Sequence, residues 1–405
     1  MGVLADLALG VVTSIGGFVE AGSISTSAQA GAEFGFELLW AVAIAGAMLA
    51  MLTEMSGRLA IMSRRSLAAA IRERFGIHFH LVPLTAELVL DLLLLTAELG
   101  GAAIAITLLT GIDFRWWIVP IAVLVWAVLW VSGFAVIEDG IGLLGLVTLA
   151  FVVAALKMGP NVHDLARGFV PSLPGHHAVR YAFLVVSIIG ATVSPYLLNF
   201  YSSGTLEEGM TRKVLWANTA TTYAGNMFGT GVSMGVLITS AMVLHPGGVE
   251  IQSFDTAARM FAPVFGPWAT TLFALALGVG CVGAALEITL NMGYLLAQVF
   301  GWSWGANRPR GDHARFSCAF TIVLVIAAAV AAIGFDPLRL TTLAVALTVV
   351  IMPLMVLPFL VLMNDTKFVK DRTNSSVGNA ALALLTVLGA LFALVVIPLE
   401  ILGGG

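Results

Sequence analysis

The chain has 405 residues, 59% of them hydrophobic and only 10% charged, with a mean hydropathy of +1.00. That balance excludes a soluble globule and makes lipid the main solvent. A formal net charge of −4 without any basic block excludes nucleic acid as a partner.

A helix needs about 20 apolar residues to cross a bilayer. Eleven segments qualify, at about 8–32, 36–63, 81–109, 116–137, 140–158, 181–204, 215–244, 265–299, 315–334, 338–363 and 377–402. The predicted fold class is an all-α polytopic membrane protein, a single transmembrane domain over 1–405. Residues 1–19 carry neither a basic leader nor a small-residue cleavage site, so the first apolar segment is read as retained. Lys and Arg set the orientation. With the N-terminus in the cytoplasm, thirteen of the nineteen fall inside, Arg58, Arg64, Arg65, Arg72 and Arg74 among them, and six fall outside. The expected location is the bacterial inner membrane, N-terminus cytoplasmic.

The first span reads GGFVEAGSISTSAQAGAEFG, with Glu20 inside an apolar segment and Gly22, Ser23, Ser25, Thr26 and Ser27 after it. Acids within the membrane are rare and mark ion paths. The alternative for Glu20 is a structural acid that serves the free amides of a broken helix. Glu54, Arg58, Arg64 and Arg65 at the end of span two read as a solvated interface cluster. In span three, Glu87, Asp91 and Glu98 are spaced four and seven apart, which puts all three on one helical face. They form either the wall of a vestibule that draws cations or separate hydrogen bonds that fix packing; both readings stay open at this point. The connection at 159–180 carries Pro160, Pro171 and Pro174 and reads as an external loop.

Span six reads IIGATVSPYLLNFYSSG. Pro195 removes a backbone donor and clashes with a turn already loosened by Gly190 and Thr192, so a break is predicted at about 192–196. A matching break is predicted at about 20–23 in span one. Five spans separate the two, so 1–158 and 181–363 read as two five-helix repeats inserted in opposite senses, with 377–402 an eleventh helix. Paired interruptions in an inverted repeat point to a substrate site where the broken helices meet; ordinary packing kinks are the alternative. In span eight, Glu287 is an isolated acid. Cys281 and Cys318 lack CxxC or mixed Cys/His spacing and read as small core residues. His78, His80, His163, His176, His177, His245 and His313 all fall in loops or at span ends, leaving no imidazole in the membrane interior.

The stretches GFVEAGSISTSAQAGAEFGFELLW, AELVLDLLLLTAELGGAAIA, GATVSPYLLNFYSS and MPLMVLPFLVLMND resemble the first, third, sixth and tenth helices of the Nramp family of divalent-metal transporters. The likeness runs along nearly the whole chain, as a divergent member similar to the Nramp-related magnesium transporters. It implies a leucine-transporter-type fold with helices one and six broken. The family's Asp-Pro-Gly-Asn of the first helix is Glu20-Ala21-Gly22-Ser23 here, and its Met-Pro-His of the sixth is Ser194-Pro195-Tyr196. The resemblance thus implies a metal site of Glu20, Ser23 and Ser194 with the carbonyls of Gly17 and Ala191. A thioether favours softer ions, so its replacement by a hydroxyl removes discrimination against hard cations. Mg²⁺, which keeps several waters and binds through one or two carboxylates, is the expected cargo, with Mn²⁺ next.

The family's two sixth-helix histidines match Tyr196 and Tyr201, and its third-helix Asp and Glu match Leu95 and Glu98. Most of the usual proton route is missing, which implies a uniporter working by alternating access. The membrane potential alone drives a divalent cation with about 4.6 kcal/mol per 100 mV. Tyr196, Tyr201, Glu98, Asp91 and Glu87 line the expected pathway. No cofactor beyond the transported metal and no obligate protein partner is implied, and the bilayer is the surrounding medium. A second reading is a carrier of a small organic cation or polar solute on the same fold; Tyr196 and Tyr201 would offer their aromatic faces to an ammonium group. An enzyme finds no support, since no nucleophile has a neighbouring base.

Overall fold

The computed structural model describes residues 20–172, 177–307, 310–392 and 394. Gly17, the first part of the expected span 8–32, His176 and the end of the span 377–402 lie outside the described residues. Among those described there is no strand. Lipid offers no hydrogen bonds, so each segment satisfies its own backbone as helix.

In chain order, with short helical turns left unnumbered, the helices are α1 (Ala21–Phe34), α2 (Leu39–Ser63), α3 (Leu67–Phe75), α4 (Ile77–Thr110) and α5 (Arg115–Val131). There follow α6 (Phe134–Gly145), α7 (Leu149–Met158), α8 (Val162–Gly168), α9 (Ala178–Thr192) and α10 (Pro195–Glu207). The last are α11 (Leu215–Val243), α12 (Ala269–Phe300), α13 (Ala314–Ala332), α14 (Pro337–Asn364) and α15 (Ser376–Leu391). Eight helical runs among the described residues are long and apolar enough to cross a membrane, and α5 and α15 are shorter apolar helices. Together with α1 they fall on the eleven expected spans, of which 8–32 and 377–402 are covered only in their described parts.

Three local features depart from the expectations. A short helix, α8, interrupts the connection read as loop, started by Asn161, whose side chain accepts from the His163 amide. The amphipathic α3 lies between spans two and three, capped by Ser66. Helix α4 starts at Ile77, so His80 stands in its first turn, at a span end but wholly buried.

Helix α12 packs along α4, α14 lies on α4 and α15, and α11 lies against α1 and α2. Small residues allow these approaches: at Gly46 of α2 and Gly31 of α1 the backbone and side chains of α11 leave no room for a Cβ. The cations sort to two ends. At one, Arg58 donates to the Arg372 carbonyl at 2.8 Å, Arg64 to that of Met210 at 3.0 Å, and Arg74 pairs with Asp365 at 2.9 Å. Arg65 and Lys367 share Glu73 and hold its carboxyl below the usual carboxylate range. Arg58 also pairs with Glu54 at 3.3 Å and is only 14% exposed, so this part of the expected solvated cluster instead ties α2 to the segment before α15. At the other end Arg180 of α9 clasps Glu33 of α1.

Candidate metal-binding site

Helix α1 starts at Ala21, with Glu20 before it in extended backbone at φ −108°, ψ 176°. Ser23, expected in unwound chain, lies in the first turn of α1. Its hydroxyl accepts from the Glu20 amide and donates to the Glu20 carbonyl, both at 3.0 Å. The free amides at a helix start need acceptors, and Glu98 of α4 supplies one: its Oε2 accepts from the Ala21 amide at 3.2 Å. The Cys281 thiol of α12 lies against the same carboxyl. Serving the start of α1 thus falls in part to Glu98. The Glu20 side chain shares in it, facing the Ser23 amide in a capping box, while its Oε2 accepts from the Tyr196 hydroxyl at 3.1 Å.

The break in span six is short. Helix α9 runs through Thr192, and Pro195 already begins α10, so only Val193 and Ser194 leave helical geometry. Proline suits the first helical position because its missing N–H would have had no partner there. It also cannot donate to the Ala191 carbonyl four residues back, which leaves that oxygen free at the electronegative end of α9. The Ser194 hydroxyl makes a long contact of 3.4 Å to the Gly190 carbonyl. The start of α1 meets this break: a Cβ on Gly22 would stand 3.6 Å from the Ala191 Cβ.

Every group at this meeting point is buried, with Glu20 2%, Ser194 1%, Ala191 4% and Tyr196 0% exposed. The site is closed in this structure. Among the described residues no three His, Cys, Asp or Glu side chains converge as a metal cluster. Any ion held here relies on one carboxylate supplemented by hydroxyl and carbonyl oxygens.

The acidic face of α4 is knitted to its neighbours. Asn199 of α10 donates to both Glu87 oxygens at 2.7 and 2.9 Å, and Asn291 of α12 donates to Asp91 at 3.0 Å. Glu87, Asp91 and Glu98 are each at most 1% exposed. Asn199 and Asn291 are absent from the sequence expectations; primary amides inside apolar helices are the signal that points to them. Tyr201 is not brought to Glu20. Its ring faces Gly57 of α2, where an added Cβ would stand 2.8 Å away.

Among the described residues, apolar membrane-length helices together with a start of α1 and a break between α9 and α10 that meet around a buried carboxylate are the architecture of a membrane transporter. Solved structures share the fold. A manganese transporter from Eremococcus coleocola, in complex with an aromatic bis-isothiourea compound, aligns with a TM-score of 0.76 at 20% identity, over 96% of this chain and 86% of that one. A nucleobase-cation-symport-1 family transporter, closed around bromovinylhydantoin, gives 0.65 at 17% identity over 96% and 91%. A transporter in complex with L-phenylalanine, MhsT, gives 0.61 at 14% over 96% and 97%. These are leucine-transporter-type folds. The family model for natural resistance-associated macrophage protein-like chains, Nramp, matches residues 10–398, and this chain belongs to that family. It is an integral membrane transporter of divalent metal ions and not an enzyme; the metal is its substrate, and no cofactor is needed.

Proposed function

We propose that the chain carries a hard divalent cation, Mg²⁺ first and Mn²⁺ next, by uncoupled uniport with alternating access, its N-terminus in the cytoplasm of a bacterial inner membrane. The observation that carries this reading is the composition of the meeting point: Glu20 carboxylate, Ser194 and Tyr196 hydroxyls and the undonated Ala191 carbonyl, all oxygen. Oxygen donors suit hard ions, and a site with one carboxylate accommodates a partly hydrated Mg²⁺. The Gly17 carbonyl completes this proposed set. Ser23, engaged with the Glu20 backbone, would act by shaping the carboxylate's position or by turning its hydroxyl inward. The fold shared with a protein described as a manganese transporter supports a divalent cargo.

Absence of proton coupling is supported by Tyr196 at the site and by Glu98 being committed to α1. Glu87, Asp91, Glu98, Tyr196 and Tyr201 remain the proposed pathway residues, the acids becoming accessible only once α10 or α12 moves away. An organic cation would need an aromatic cage, and the placement of Tyr201 against α2 gives that reading no support.

The test is uptake into proteoliposomes of purified protein at an imposed inside-negative potential, with Mg²⁺, Mn²⁺, Ca²⁺ and methylammonium. Saturable uptake of Mg²⁺ and Mn²⁺ without methylammonium is expected. Methylammonium uptake without either metal would reverse the assignment.

A further inference from the structure

Four polar side chains stand on one face of α12. Glu287, Asn291, Tyr294 and Gln298 are spaced four, three and four apart, which keeps them within about 60° around the helix. Three have partners that fix where this face looks. Asn291 donates to Asp91 of α4 at 3.0 Å, the Tyr294 hydroxyl to Glu207 of α10 at 3.1 Å, and Gln298 to the Ser203 hydroxyl of α10 at 2.8 Å. The face therefore looks inward, into the angle between α4 and α10.

Glu287 is the exception. It is 7% exposed and has no hydrogen bond or ion pair among the described residues, and α12 contains neither Lys nor Arg. It stands one turn from Asn291, and its carboxyl is within electrostatic reach of Glu20 and of the Tyr196 hydroxyl. A bare acid in this setting is costly to keep unless an ion compensates it. Its helix shows no structural use for it, whereas the other three polar groups on the face each have one.

We propose that Glu287 is a second carboxylate of the cation path, holding a hydrated divalent ion beside Glu20 through the ion's own water shell. Two carboxylates match the charge of a divalent cation where one would match a monovalent one. Mg²⁺ sheds water reluctantly, so a carboxylate that accepts hydrogen bonds from bound water stabilises it without direct ligation. The inference rests on the reading of the meeting point of α1, α9 and α10 as the cation site.

The experiment compares Glu287→Gln, Glu287→Asp and Glu20→Gln in proteoliposomes, with Mn²⁺ and Mg²⁺ as the ions, alongside melting of each purified variant without metal. Glu287→Gln is expected to raise KM for both ions about tenfold or more without lowering the metal-free melting temperature, since it removes a buried acid that has no partner to lose. Glu287→Asp, with its charge kept but drawn back by a methylene, should lie between parent and Gln, at about threefold. A folded Glu287→Gln with parental KM for both ions overturns the proposal. If that variant does not fold, parental KM in Glu287→Asp overturns it instead. Glu20→Gln separates the two levels: its loss of uptake beside a parental Glu287→Gln sinks only the inference, whereas normal uptake in Glu20→Gln sinks the site itself.

Discussion

At Ser194, a hydroxyl stands where a thioether would make the site soft. Ser194→Met restores a soft donor beside the Ala191 carbonyl and is expected to shift the ratio of Cd²⁺ to Mg²⁺ uptake toward Cd²⁺ by roughly tenfold, about 1.4 kcal/mol. Competition of Cd²⁺ against Mg²⁺ uptake measures it, and an unchanged ratio would show that residue 194 does not set selectivity. Asn199 makes a different kind of contribution. Its amide is the donor to both oxygens of a fully buried Glu87, so Asn199→Ala leaves that carboxyl largely bare, with only a 3.5 Å contact to Asn291. A loss of roughly 1–3 kcal/mol in stability is expected, read by thermal unfolding in detergent. Glu73, in contrast, is a solvated acid. With its carboxyl held low by Arg65 and Lys367, its contribution is present above the ordinary carboxylate pKa and fades as pH falls through the lowered one.

At the scale of helices, close approach decides what the break can do. A Cβ at Gly190 would come 2.6 Å from the Val345 carbonyl oxygen and equally near the Val349 side chain, so α9 reaches α14 only because nothing is there. Gly190→Ala is expected to cost about 1–3 kcal/mol and to slow transport by pushing Ala191 off the site, with Vmax and unfolding measured together. At the far ends of α1 and α9, Arg180 donates through Nε and Nη2 to both Glu33 oxygens at 2.8 and 2.6 Å, and to Gln29 at 3.1 Å. A partly exposed bidentate pair contributes roughly 1 kcal/mol. Arg180→Ala should therefore favour opening at that end. With Cys281 and Cys318 replaced, Ala191→Cys should react with a polar thiol reagent about fivefold faster when Arg180 is removed. An unchanged rate would mean that this clasp does not hold the site shut.

For the whole molecule, the consequence to measure is coupling. Divalent uptake driven by an inside-negative potential should proceed without a fixed ratio of internal acidification, followed with a pH-sensitive dye sealed in the liposomes and an ionophore control. Stoichiometric acidification would show a surviving proton path, and Glu98→Gln would be the first substitution to examine. How much of this was legible from residues alone follows from the range over which each force acts. The spans could be read because lipid demands about 20 apolar residues in a row. The break at Pro195 could be read because a missing N–H is a local fact, and the two charged ends because Lys and Arg stay where water is. Glu20 announced itself as an acid in apolar surroundings. That Glu98 accepts from the first amide of α1 could not be read: it is 77 residues from Ala21, and only the packing of α4 against the start of α1 brings it there. The same holds for Asn199 on Glu87, 112 residues apart, and for Tyr201, turned to α2 by the close approach at Gly57. Hydrophobic length and backbone chemistry are written along the chain, whereas the partner of a buried polar group is chosen by helices remote in sequence, so it was decided by the tertiary structure alone.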